Sequence, residues 1–233
     1  MLFLLLLLIS SCQSVYHTCA IVHGLHLHVN EWYEQMYGIP DQEKFGRLSK
    51  LVQFVSEHNR SMNFLRIILG SGASQIKIGN RLWSESEVIQ NVLIKSIDRI
   101  LDEFSIYQST SNVKSLILNI TTIDTQSKNT YEELSNAGKQ FHSIGCQQIV
   151  IISGPTHIER CLRDAISIYS SKKYLFMHRL IAVPSDVPYS KTSSTDVIII
   201  EPPHLPNIVS YWELFNKILT NETLKHMCLS NVG

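Results

Sequence analysis

A histidine and an arginine three residues apart, His157 and Arg160, follow a glycine–proline turn in the stretch Ser153-Gly-Pro-Thr-His-Ile-Glu-Arg. Near neutral pH an imidazole gives or takes a proton, and a guanidinium grips phosphate or carboxylate through two parallel hydrogen bonds. On a helix, side chains at this spacing share a face with Cβ atoms about 5–6 Å apart, so the pair can converge on one ligand. The plain alternative is a surface histidine beside an arginine that is salt-bridged elsewhere. Upstream, Gly70-Ser71-Gly72-Ala-Ser74 can bring backbone N–H groups close to an anion, because glycine permits tight approach. It matches neither the P-loop nor the dinucleotide fingerprint, so neither a nucleoside triphosphate nor a standard NAD site is supported; a simple turn is the competing reading. Glu85 and Glu87 open the next helical stretch, where the helix dipole favours a carboxylate, and Glu85 is expected to face the site.

The elements that must position these groups alternate along the chain. Apolar runs occur at Cys19-Ala-Ile-Val22, Leu65-Arg-Ile-Ile-Leu69, Leu116-Ile-Leu-Asn-Ile120, Gln148-Ile-Val-Ile-Ile152, Leu180-Ile-Ala-Val183 and Val197-Ile-Ile-Ile200. Between them, residues 45–57, 85–104, 131–144, 158–169 and 208–219 carry apolar side chains at three- and four-residue spacing. That alternation predicts an α/β, Rossmann-like three-layer sandwich, with a mostly parallel sheet of about six strands and helices on both faces. Sites in such folds lie beyond the carboxyl ends of the strands. Those ends deliver His23, Gly24 and His26; Gly70 to Ser74; Thr122 and Asp124; Ser153, Gly154, Thr156 and His157; and Ser185 and Asp186. Thr130 and Glu133 have capping-box spacing, Pro155 suits a first helical position, Glu159 is expected to face solvent, and residues 184–195 read as a loop or flap.

Composition narrows the function. The 233 residues carry 20 Lys+Arg against 20 Asp+Glu, which lacks the cationic surplus needed to track a phosphate backbone, so nucleic acid is not the expected partner. Residues 2–9 are continuously apolar and precede Ser10-Ser-Cys12. Residues 1–18 therefore read as a signal peptide or membrane anchor, with Cys12 in a lipobox-like setting, and residues 19–233 as one domain that is secreted or membrane-associated. The five cysteines, at 12, 19, 146, 161 and 228, have no metal spacing; the four other than Cys12 could pair in an oxidising compartment, and Cys19 and Cys146, beside expected strands, equally suit small buried hydrophobes. Of His23, His26 and His28, alternation on an extended segment puts His26 and His28 on one side, two ligands without a clear third, so no metal is expected. Sequons occur at Asn59, Asn119 and Asn221, but Asn119 falls in an expected buried strand, where a glycan would not fit.

The order of motifs resembles the YdcF/SanA/ElyC family over roughly residues 19–186. The likeness rests on Arg47-Leu48, Leu69-Gly-Ser-Gly72, the Ser-Glu at 84–87, Ser127-x-Asn-Thr-x-Glu132, and Ser153-x-x-x-His157-x-x-Arg160. The resemblance implies a Rossmann-like domain whose pocket would be lined by Gly70, Gly72, Glu85, Asn129, Thr130, Glu132, His157 and Arg160. It also implies ties to cell-envelope metabolism and a possible link to S-adenosylmethionine. Two positions depart from the pattern: a single glycine, Gly24, ends the first strand, and Glu133 stands where the family carries Asn.

Together these readings lead to an expected function: binding and enzymatic transformation of a small anionic or nucleotide-like ligand. His157, Arg160 and Glu85 would act on it, and Gly24, Gly70, Ser71, Gly72, Ser74, Asn129, Thr130, Glu132 and Ser153 would hold it. The alternatives are a non-catalytic S-adenosylmethionine or nucleotide module, and a structural descendant without activity.

Overall fold

Alternation within three strands decides the layers. Along β1 (Tyr16–Val22), Ala20 and Val22 face one apolar cluster, while Cys19 and Ile21 face another. The same split separates Ile67 and Leu69 from Ile68 in β4 (Met62–Gly70), and Val150 and Ile152 from Ile149 and Ile151 in β8 (Gln148–Ser153). A strand apolar on both faces must be covered on both. On one face lie α2 (Arg47–His58), α3 (Glu85–Glu103) and α4 (Val113–Ile120); on the other lie α5 (Thr130–Ser143) and α6 (Ile158–Tyr169). In this computed structural model, residues 15–29, 31–106, 112–170, 174 and 179–188 are described.

The parallel sheet has five strands in the order β7-β4-β1-β8-β9, with β7 at Thr121–Asp124 and β9 at Leu180–Pro184. The chain winds outward from β1 through β4 to β7, then returns to β8 on the other side of β1. The order therefore reverses between β1 and β8, and that switch point is where open α/β sheets form their ligand crevice. Val22 pairs with Ile152 and Gly70 with Asp124, so the carboxyl ends are in step. Smaller pieces complete the fold: α1 (Trp32–Tyr37), the β2 (Gly38–Ile39) and β3 (Lys44–Phe45) pair, and a hairpin of β5 (Gln75–Ile78) and β6 (Arg81–Ser84).

The α/β architecture matches the expectation, with several local corrections. The run Leu116–Ile120 is not a strand but the end of α4, with Val113 and Ile117 buried one turn apart; the strand is the next four residues. Short apolar runs fit either element, and packing against α2 and β4 decides in favour of helix here. Asn119 is consequently exposed. The hairpin at 75–84, turned by Gly79 at φ +62°, was not anticipated. Thr130 is not the cap of α5: Asn129 is, its side chain accepting from the Glu132 amide. Pro155 lies in the turn before α6, not in its first turn, and Glu159 is partly buried rather than solvated. The expected strand at 197–200, the helix at 208–219 and Asn221 lie outside the described residues, as does the flap beyond Pro188. Among the described residues no helix is long and apolar enough to cross a membrane.

Candidate functional site

The chain leaves β1 at His23, which is fully buried, its Nδ1 donating to the Glu133 carboxylate of α5. Its ring meets that of His157 edge-on, with centroids 5.8 Å apart. His157 follows β8 and accepts at Nε2 from the Arg160 guanidinium at 2.7 Å. A guanidinium has no acceptor, so His157 carries its proton on Nδ1 and donates it to Ser153 Oγ at 2.9 Å. Thr130 Oγ1 joins the group, 3.1 Å from His157 Nε2 and 2.9 Å from Arg160. Burial, then the positive charges of Arg160, Arg47 and His23, hold the His157 pKa well below the ordinary histidine value, in keeping with that neutral tautomer.

Arg47, in the first turn of α2, is buried across the switch point. One terminal nitrogen donates to the carbonyls of His23, at 2.8 Å, and Gly24. A Cβ at Gly154 would stand 3.1 Å from the guanidinium, so the glycine after β8 leaves room for it. On the other side of Gly24, Glu85 accepts from the Leu25 amide, and from Ser71 and Ser74 hydroxyls at 3.3 and 3.1 Å. A Cβ at Gly24 would fall 2.5 Å from the Glu85 carboxylate, and one at Gly70 would fall 2.8 Å from Glu133 Cδ. These two glycines thus let carboxylates lie directly against backbone.

Three loops are stitched together around this cluster. Gly72 donates its amide to Ser127 O at 2.9 Å, and its missing side chain is required, since a Cβ would sit 2.0 Å from Thr125 O. Ala73 donates to Ser71 Oγ at 3.1 Å, so the Gly72 and Ala73 amides of the glycine turn are already engaged by the protein. The carbonyls of Ser71 and Ser74 accept from Ser86 and Glu85 and so cap α3, while Ser84 and Glu87 form a capping box.

The structure therefore unites His157, Arg160, Thr130 and Ser153, and seats Glu85, Ser71 and Ser74 around Gly24. Glu133 bridges the two groups at Gly70. Asn129 and Glu132 stand apart: they bond each other at the exposed start of α5. Asp124 shapes its own loop through the Gln126 and Ser127 amides, and Asp186 pairs with Lys50 at 2.9 Å beside Phe45. His26 and His28 are exposed whereas His23 is buried, and no group of three metal donors occurs among the described residues.

Two residues gained importance only here. Glu133, whose spacing from Thr130 predicts only a helix cap, is buried at the centre. Arg47, which enters the sequence reading only through the Arg47-Leu48 motif, carries a second signal: a cation in a helix's first turn opposes the dipole and needs another reason to be there. No family model, curated protein or solved structure matches the chain.

Burial, and secondarily the charge of Glu133, raise the Glu85 pKa to about 8. The folded protein holds this proton more tightly than the unfolded chain. The resulting stability is full below the ordinary value of 4.5 and is lost as pH rises through about 8. Glu85→Gln keeps an acceptor for Leu25 and an amide for the serines. Urea unfolding at a series of pH values should show this part of the decline absent from the variant; parallel wild-type and variant curves would refute the assignment.

Proposed function

We propose that the chain binds a small anionic ligand, a phosphate- or carboxylate-bearing metabolite or a nucleotide, at the switch point between β1 and β8, and transforms it by proton transfer. The observation that carries this is Arg47. The residue is 2 % exposed, its Nε has no hydrogen-bond partner among the described residues, and none of the ion pairs among them includes it. An uncompensated buried charge costs several kcal/mol. Glu133 is matched by His23, and Glu85 is largely protonated near neutrality, so a ligand anion is the natural counter-charge. An anion that draws Arg160 away would free His157 Nε2 as a base. The occupied state of that nitrogen equally favours a second reading, a binding module without catalysis, for which S-adenosylmethionine is one candidate ligand.

The resemblance to the YdcF/SanA/ElyC family, the apolar run at residues 2–9 and the Cys19–Cys146 disulfide support work outside the cytosol, on an envelope metabolite. Thermal unfolding against inorganic phosphate, phosphosugars, nucleotides and S-adenosylmethionine tests the core claim, since a ligand at a hundred times its dissociation constant adds about 2.7 kcal/mol. Arg47→Met should abolish the shift given by any active compound. His157→Ala should keep the shift and lose turnover if the domain is an enzyme. A panel that shifts nothing, or shifts wild type and Arg47→Met equally, discards the proposal.

A further inference from the structure

Asn119 begins the sequence Asn-Ile-Thr, and the reason for dismissing it disappears once its element is a helix. Val113 and Ile117 anchor α4 to the core, while Ser115 and Asn119 form an exposed stripe one turn apart, joined by a single long contact of 3.4 Å between Asn119 Nδ2 and Ser115 Oγ. Among the described residues, the one hydrogen-bond partner of this exposed amide is a serine. Asn59, the other described sequon, is less suited: it is half-buried at the end of α2 and donates to Ser56 O at 3.0 Å. The Cys19–Cys146 bond independently points to an oxidising compartment, the setting in which such sequons are used.

We propose that Asn119 is an N-glycosylation site, an inference that rests on the reading of the chain as exported. In the transfer, Nδ2 forms a bond to C1 of the first sugar of a diphosphate-linked lipid donor. The C1–O bond to the diphosphate breaks, the amide proton goes to a base of the transferase, and the lipid diphosphate leaves. Thr121 must present its hydroxyl before folding is complete, because in the folded chain its Oγ1 donates to Ile117 O at 2.6 Å. The glycan would stand at the amino end of β7, whereas the His157 cluster lies at the carboxyl ends of the strands, so the site stays open.

The full chain is expressed in a eukaryotic secretory host, once from its own N-terminus and once behind a heterologous leader. Peptide N-glycosidase should speed the migration of both secreted products and convert residue 119 to aspartate in the peptide spectrum. Asn119→Gln should lose one glycan and keep the wild-type unfolding midpoint. Secreted protein from the heterologous leader with Asn119 unmodified overturns the proposal. Modification only behind that leader upholds the site and overturns export from the native N-terminus.

Discussion

Replacing Glu133 with glutamine should lower the unfolding free energy by about 3–5 kcal/mol, because it strands a buried imidazolium without its counter-charge. His23 has no exposed surface. Burial alone would lower its pKa, but Cys161 and Glu133 facing the ring outweigh it and raise the value to about 10. A folded value above the unfolded one means that the contribution is complete below about 6.5 and fades as pH climbs through about 10. The penalty of Glu133→Gln should therefore be largest near pH 6 and small above pH 10 on the same linkage argument. Chemical denaturation at the two pH values measures it. A cost below about 1 kcal/mol, in the range of an exposed pair, would mean that the two groups are not a buried ion pair.

Opening the Cys19–Cys146 bond should cost about 2–5 kcal/mol, the range observed when a native disulfide is removed. The bridge spans 127 residues and ties β1 to the turn before β8, the two strands that flank the switch point. Closing so long a loop restricts the unfolded chain strongly, by about 5 kcal/mol in the chain-entropy view. Reductant should lower the urea midpoint of the wild type and leave that of Cys19→Ala/Cys146→Ala unchanged. Alkylation of the denatured, unreduced protein should label Cys161, which is a free thiol in the structure, and spare the pair. Equal midpoints with and without reductant would show that the two sulfurs are not joined. Because the bond ties β1 to the turn before β8 rather than the loops that follow the strands, its loss is expected to weaken the frame before it disturbs the His157 cluster.

Much of the frame was legible because it follows from short-range pattern. Doubly apolar runs at Ala20, Ile68 and Ile151 read as central strands and are so, and the three- and four-residue periodicity beginning at Glu85 and Ile158 sets helix starts that the structure reproduces. The pattern failed at Leu116–Ile120, where four apolar residues around Asn119 suit a strand or a buried helix end equally well. Capping was misjudged by one residue at Asn129 because Asn, Ser and Thr are all competent caps and only the backbone angles choose among them. The site was half visible: His157 and Arg160 announce themselves by spacing on one helix turn, whereas Glu132 and Glu133 differ only in which side of α5 meets the sheet.

What the amino-acid order determined by itself was the alternation of strand and helix, the glycines at strand ends, and the gathering of polar residues at the carboxyl ends of the strands, since each depends on neighbours along the chain. What the tertiary structure alone decided was the partnership of His23 with Glu133, 110 residues away, and the burial of Arg47 between β1 and β8. Pairing and protonation at those residues depend on excluding water, and water is excluded only once the sheet and both helix layers have closed around them.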